Sequence, residues 1–284
     1  MSSEGGGTLY VVATPIGNLD DITLRAIQVL RDAGRIAAED TRRTRQLLSH
    51  LGIEGKPLDA LHEHSGPRDV ARIVEHLERG GSVALVSDAG TPIVSDPGAA
   101  LVQAAIAAKV RVVPIPGATA VVAALSASGL ADGRGFRFVA FLPREGTERR
   151  EAIAALAAAA EPVVLYESPE RCAATLRELA DAMPERVACV ARELTKLHEE
   201  IVRGTLAELA ATEREWRGEI AVVLGAWSPE MHREAIDDAA VDARIDRELD
   251  DGRHAKATAE IVAAWCGRPK REIYERVVRR KGNR

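Results

Sequence analysis

Aromatic residues are scarce in this chain: three Phe, three Tyr and three Trp among 284 residues, or 3%. Apolar content still reaches 46%, so any core has to be built from Ala, Val, Leu and Ile, and the length allows two cores of ordinary size. Cysteine is nearly absent, with only Cys172, Cys189 and Cys266. An odd number, wide spacing and no C-x-x-C pair exclude a disulfide framework and a cysteine zinc site, which leaves buried, reduced core residues as the expectation. No apolar run approaches the ~20 residues a membrane span requires, and the opening MSSEGGGT lacks a basic segment followed by an apolar one. A cytoplasmic protein without a membrane partner is expected. Three familiar signatures are also missing: the G-x-x-x-x-G-K-[ST] phosphate loop, the G-x-G-x-x-G dinucleotide turn and the H-E-x-x-H zinc pair. No metal site is expected.

A net charge of −5 argues against a protein that holds nucleic acid over its whole surface. The average conceals an asymmetry. Residues 228–251 carry nine acidic and three basic side chains, a balance of −6, whereas 267–284 carry eight basic and two acidic ones, a balance of +6. A tail of that kind reads either as a solvated helix end or as a surface for phosphate.

The body of the chain alternates. TLYVVA, RIAAED, SVALVS and VRVVPIP read as strands, separated by the helical patterns ITLRAIQVLRDAG, TRRTRQLLSHLG, ARIVEHLERGG and PGAALVQAAIAAK. Strands separated by helices predict a mainly parallel sheet with right-handed crossovers. After the helix ATAVVAALSASG, the stretch ADGRGFRF punctuates the chain. A second α/β unit then follows, with strands RFVAF, PVVLYES, RVACVAR, HEEIVRGT and GEIAVVLG. Two of these are adjacent without an intervening helix, so its sheet is expected to be mixed. Beyond Gly225 only helices are predicted, over about 238–250, 254–265 and 269–281. The division is 1–118 for an N-terminal α/β domain, 119–227 for a second one, and 228–284 for an acidic linker with a small basic helical region.

Three strands end in loops rich in Pro and Gly: ATPIGNLDD (13–21), SDAGTPIVSDPG (87–98) and PIPGATA (114–120). The second is longer than the 2 to 6 residues usual for a βα connection. In a parallel sheet all three fall on one edge, where their exposed backbone groups can line a crevice for a flat polar ligand.

The segments LYVVATPIGNLDDITLRA, AAEDTRRTRQLL, VALVSDAGTPIVSDPG, VPIPGATAVVAALSASGL, FLPREG, YESPER, ARELTK and GEIAVVL occur in this order. Together they resemble the tetrapyrrole methylase superfamily, in its branch that modifies ribosomal RNA. The resemblance runs from about residue 8 to 225. It implies two dissimilar α/β domains that hold S-adenosylmethionine, usually in a homodimer, and methylation of the ribose 2′-hydroxyl of a cytidine in the decoding region of 16S ribosomal RNA. Carried onto matching positions, the cofactor residues are Pro15, Asp88, Ala89, Gly90, Thr91, Val94, Thr119 and Ala120, with Tyr166 and Glu167 from the second domain.

Methyl transfer mainly requires oxygen, methyl and sulfur to be held in line. The ribose hydroxyl is the difficult partner, because it loses its proton only far above neutral pH, so a base or a cation beside the developing alkoxide is expected. The candidates are Glu39, Asp40, His64 and Lys196, with Glu63 beside His64; Glu39 and Asp40 also read as a charge cluster opening a helix. Arg42, Arg43, Arg45 and Arg144 are expected at RNA phosphates, extended by Arg149 and Arg150 and by Lys270 and Arg271 in the tail. Glu145, Ser65 and Glu170 depart from the residues usual in this branch. Two other functions share some of these features. A methylase of a tetrapyrrole precursor would use the same cleft, but such enzymes begin with a G-x-G-P-G loop where this chain has TPIGN. A non-catalytic nucleic-acid-binding regulator would not need three crevice loops.

Overall fold

The computed structural model describes residues 6–131, 133–227 and 238–282. The linker segment 228–237 and Asp132 of the ADGRGFRF stretch lie outside the described residues. The chain forms two compact units. One comprises the described residues up to Ala123 together with Glu193–Glu200; the other comprises Ala124–Arg192 and the described residues from Ile201 onward.

The first unit is built on β1 (Thr8–Val12), β2 (Arg35–Ala38), β3 (Leu58–Ala60), β4 (Ser82–Val86) and β5 (Arg111–Ile115). Its connecting helices are α1 (Leu24–Asp32), α2 (Thr41–His50), α3 (Pro67–Glu78) and α4 (Ala99–Ala107), while α5 (Ala120–Ser128) begins in this unit and ends in the second. The strands lie in the order β3-β2-β4-β1-β5, and every recorded pair is parallel. Both faces are covered, so the strands read as unbroken apolar runs. Val83 and Leu85 of β4 pack with Leu9, Leu77 and Leu101 on one side. Ala84 and Val86 pack with Val12, Leu30 and Ile36 on the other.

Local chemistry fixes the helix ends. The Thr23 hydroxyl accepts the Ala26 amide at 3.1 Å to start α1, and Pro67 occupies the first turn of α3, where its missing N–H costs nothing. That helix starts four residues before the apolar pattern suggested, because a Pro and a polar first turn carry no periodicity. β3 was not anticipated either; three residues are too few to show alternation.

The second unit contains β6 (Arg137–Phe141), β7 (Val163–Glu167), β8 (Val187–Arg192), β9 (Glu200–Thr205) and β10 (Ile220–Leu224), in the order β6-β7-β10-β8-β9. β6 and β7 are parallel while β10 is antiparallel to both β7 and β8, so the sheet is mixed, as expected. α6 (Gly146–Ala158), α7 (Pro169–Ala182) and α8 (Leu206–Ala211) accompany it. Leu156, Leu165, Leu176, Leu179 and Trp216 fill its core. Arg186 is fully buried there, donating to the carbonyls of Gly225, Leu156 and Glu161 at 2.9, 2.7 and 3.1 Å.

The same unit carries α9 (Asp238–Asp250), α10 (Ala255–Cys266) and α11 (Lys270–Gly282), packed through Val241, Ile245, Val262, Ile273 and Val277. Cys172, Cys189 and Cys266 are buried and free. Among the described residues no helix is long and apolar enough to cross a membrane.

Candidate active site

The carboxyl ends of β1, β4 and β5 meet, and hydrogen bonds tie their loops together. Thr14 and Gly90 exchange backbone bonds of 2.8 and 3.0 Å. The buried Thr14 hydroxyl donates to the Ser87 carbonyl at 3.2 Å, and the Thr91 hydroxyl to the Ala118 carbonyl at 3.1 Å. The approach is close enough to demand small residues. A Cβ on Gly117 would lie 2.9 Å from that of Ala13, and one on Gly90, whose φ is +79°, 3.2 Å from Ile16 Cγ2. Two non-glycine residues of the second loop, Ile93 at φ 76° and Ser95 at φ 68°, are also left-handed. For a β-branched residue this is a marked outlier, and such conformations concentrate at functional sites.

Carboxylates gather at the same edge. Asp88 Oδ1 accepts the Asp40 amide at 3.0 Å, Glu39 Oε2 accepts the Asp88 amide at 3.2 Å, and an Arg43 nitrogen lies 3.4 Å from Asp88 Oδ2. Asp40 serves as N-cap of α2, accepting the Arg42 amide at 2.8 Å and its guanidinium at 2.7 and 3.1 Å. Those bonds hold its carboxyl far below the usual range, which makes it a firm acceptor and a poor proton acceptor.

Asp96 behaves in the opposite way. Burial pushes its carboxyl up to about 6, opposed by a hydrogen bond from Ser87 and reinforced by the negative charges of Glu39 and Asp88. Sequence reasoning passed over this residue. It stands in plain view in SDPG, but what distinguishes it is desolvation, which no local pattern reveals. Among the described residues no group of acidic, His and Cys side chains has the arrangement to hold a metal ion.

Residues 193–200 belong to this first unit and pack on its first loop. The Asn18 amide donates to Thr195 Oγ1 at 3.0 Å, and a Cβ on Gly17 would meet Lys196 Cγ at 2.5 Å. Lys196 is thereby carried to the TPIGN loop, with its ammonium 2.9 Å from Glu193 Oε1. Glu193 and Thr195 are both left-handed, at φ 52° and 67°. His64, by contrast, follows the edge strand β3, three places from β1. It is largely exposed, 3.2 Å from Glu63, and among the described residues no hydrogen bond or ion pair joins it to the Asp88 group.

In the second unit Glu167 is enclosed and fully engaged: its carboxylate accepts Thr175 Oγ1 at 2.6 Å, the Ser168 amide at 2.8 Å and Arg171 at 3.1 Å. Arg149, expected at RNA, is instead buried against Glu178, Thr175 and the Pro143 carbonyl at 2.8, 2.9 and 2.9 Å. Arg144 and Arg45 are exposed, and Arg150 is exposed with a bond to Thr147.

The basic tail also differs from the expectation of an open phosphate surface. Arg268, Arg276 and Arg280 face Asp238, Asp242 and Asp246 of α9, so much of the +6 block is answered by the −6 block. Lys270 pairs with Glu260 at 3.0 Å, and Arg271, well exposed, with Glu275 at 3.2 Å.

Residues 8–210 match the family Tetrapyrrole (Corrin/Porphyrin) Methylases. Ribosomal RNA small subunit methyltransferase I of Micromonospora olivasterospora is 45% identical over 96% of this chain and 87% of its own length. The protein of the same name from Neisseria meningitidis serogroup B is 46% identical over 95% and 92%. Among solved structures, uroporphyrin-III C-methyl transferase from Thermus thermophilus complexed with S-adenyl homocysteine superposes with a TM-score of 0.54, at 20% identity, over 77% of this chain and 97% of that one, a likeness of fold. The chain belongs to the tetrapyrrole methylase family and, within it, stands with the ribosomal RNA small subunit methyltransferases I.

Proposed function

We propose that this protein transfers a methyl group from S-adenosylmethionine to the ribose 2′-hydroxyl of a cytidine in the decoding region of 16S ribosomal RNA, acting in the cytoplasm as a homodimer. One observation carries the reading: three strand-end loops of a parallel sheet are bonded to one another at Thr14–Gly90 and Thr91–Ala118, beside the Asp88 carboxylate.

The residues present suit such a nucleoside. Gly90 and Gly117 leave room for close backbone approach. Asp88 keeps acceptor capacity beyond the Asp40 amide, enough for an ammonium or ribose hydroxyl. Pro15, Ala89, Val94, Thr119 and Ala120 supply walls and main-chain groups, with Thr91 fixed by its bond to Ala118. We assign Tyr166 to the same cofactor, and to Glu167 the task of fixing the turn that presents Tyr166. When bound, S-adenosylmethionine supplies an electrophilic methyl on its sulfonium.

For the acceptor hydroxyl, Glu39 and Lys196 are the stronger candidates. Among the described residues nothing bonds the second carboxylate oxygen of Glu39, and Lys196 offers a cation for the developing alkoxide. Asp40 holds the entry to α2, and His64 stands apart. Arg45 and Arg144 are free to meet phosphate, while Arg42 and Arg43 first engage Asp40 and Asp88.

The test is to incubate the protein and labelled S-adenosylmethionine with small ribosomal subunits lacking the modification and map the label. A single 2′-O-methylcytidine is expected. Label on a base, or none with subunits but transfer to a tetrapyrrole, overturns the reading. Asp88→Ala should weaken cofactor binding by calorimetry at least ten-fold, about the loss of one hydrogen bond to a charged group.

A further inference from the structure

All three phenylalanines of this chain fall within residues 136–141, and two of them meet Tyr166 on one face of the second sheet. The Phe138 and Tyr166 rings are 5.0 Å apart at 68°, and those of Phe141 and Tyr166 5.7 Å apart at 58°. An irregularity in the strand makes this possible. Phe138 lies opposite Val164 and Phe141 opposite Tyr166, so three steps along β6 match two along β7.

Regular pairing would set Phe141 opposite Glu167, whose side chain is fully enclosed. Because side chains alternate, the ring would then point to the face of Val163 and Leu165, which is core. The extra residue is absorbed at Ala140, held left-handed at φ 54°. Bulges of this kind re-aim side chains beside functional sites. Here the bulge turns a ring out of the core and leaves Phe141 54% exposed.

The turn that follows is pinned from below. Arg171 donates to the Leu142 carbonyl at 2.8 Å and Arg149 to that of Pro143 at 2.9 Å, and both are anchored in the buried Glu167–Thr175 network. Arg144 projects from this rigid turn, exposed. A fixed aromatic face three residues before an exposed guanidinium on the same pinned turn matches a nucleotide of single-stranded RNA, whose base stacks while its phosphate pairs with Arg.

We infer that Phe141, backed by Tyr166, is a stacking platform for an unpaired base of the RNA substrate, with Arg144 at the adjoining phosphate. This rests on the reading that ribosomal RNA is the substrate. Unlike a second copy of the chain, an RNA strand is matched by the adjacent positive charge. The exposed rings also offer far less area than the ~800 Å² per partner of a standard protein interface.

The test compares wild type with Phe141→Ala, Phe141→Trp and Arg144→Gln. Affinity for small subunits and ultraviolet cross-linking to their RNA are both read without turnover, so they stand apart from whether methyl transfer occurs. Phe141→Ala should weaken RNA affinity by roughly ten-fold, within the range of one base stack, while S-adenosylmethionine affinity stays at the wild-type value. Phe141→Trp should restore RNA affinity, which a folding defect would not allow. Arg144→Gln should lower the salt slope by about one. Cross-linked wild type should carry a nucleotide on the peptide that contains Phe141. Unchanged RNA affinity in Phe141→Ala overturns the inference. So does an equal loss of cofactor affinity, which would put the ring in the nucleoside cleft, or a changed oligomeric state with RNA affinity intact, which would make the patch an interface between copies.

Discussion

Replacing Gly17 by alanine should detach residues 193–200 from the first loop, and the cost can be worked from the structure. The added methyl would lie 2.5 Å from Lys196 Cγ, 2.8 Å from Thr195 Oγ1 and 2.9 Å from the Leu194 carbonyl oxygen. The Lys side chain can swing aside, but the backbone carbonyl cannot, so the segment has to move. Overpacking of this kind costs about 1–3 kcal/mol. Loss of the 3.0 Å bond from the Asn18 amide to Thr195 adds about 1 kcal/mol. Gly17 is not among the left-handed glycines, so alanine brings no backbone strain there and stiffens the unfolded chain, returning about 0.4–1 kcal/mol.

The net loss is therefore roughly 1–3.6 kcal/mol, measured as a lower urea midpoint. It should come with faster hydrogen exchange at the Asn18 and Thr195 amides and with reduced methyl transfer through displaced Lys196. Gly52→Ala is the control. Gly52 has φ 63° and nothing within 4 Å of an added Cβ, so it should lose about 1–2 kcal/mol from backbone conformation alone, with exchange at Asn18 unaltered. Wild-type stability and protection in Gly17→Ala would refute the close approach of these segments.

Two further outcomes can be measured. The folded carboxyl of Asp96 sits near 6, above the ordinary 3.8, so the native state binds its proton more tightly than the unfolded chain does. The stability this group contributes is complete below about pH 4 and lost as pH rises through about 6. Asp96→Asn should thus gain on wild type in melting temperature between pH 4.5 and 7.5; a difference that stays constant across that window would contradict the burial of this carboxyl. Converting Asp238, Asp242 and Asp246 to Asn removes the carboxylates that face Arg276 and Arg280, while Arg268 keeps Glu272 at 3.5 Å. If Arg276 and Arg280 can reach RNA, the logarithmic salt dependence of binding steepens by about 1.4, at ~0.7 per phosphate on a single strand. An unaltered slope would mean that α11 does not meet RNA.

The unbroken apolar run of SVALV announced a buried strand, and the Pro and Gly after it announced a loop at its carboxyl end. Both statements are local, and both followed from residue type and spacing. β3 escaped because an edge strand of three residues leaves no period to detect. Arg149 was misjudged because an arginine on a helix exposes its charge by default, and only the packing of Glu178 and Thr175 around it turns it inward. The two charge blocks near the end were legible as blocks. That they face each other was not.

By itself the sequence determined the order of strands and helices apart from β3, the two α/β units, the glycines and prolines of the crevice loops and the family to which the chain belongs, because propensity, periodicity and motif spacing act over a few residues at a time. Tertiary structure alone decided that Thr14, Gly90, Thr91 and Ala118 are bonded neighbours, that residues 193–200 serve the first unit and not the second, and that Asp96 is desolvated. It also decided that one extra residue in β6 turns Phe141 toward solvent. These properties depend on which distant segments exclude water from one another, and that is fixed only when the whole chain has packed.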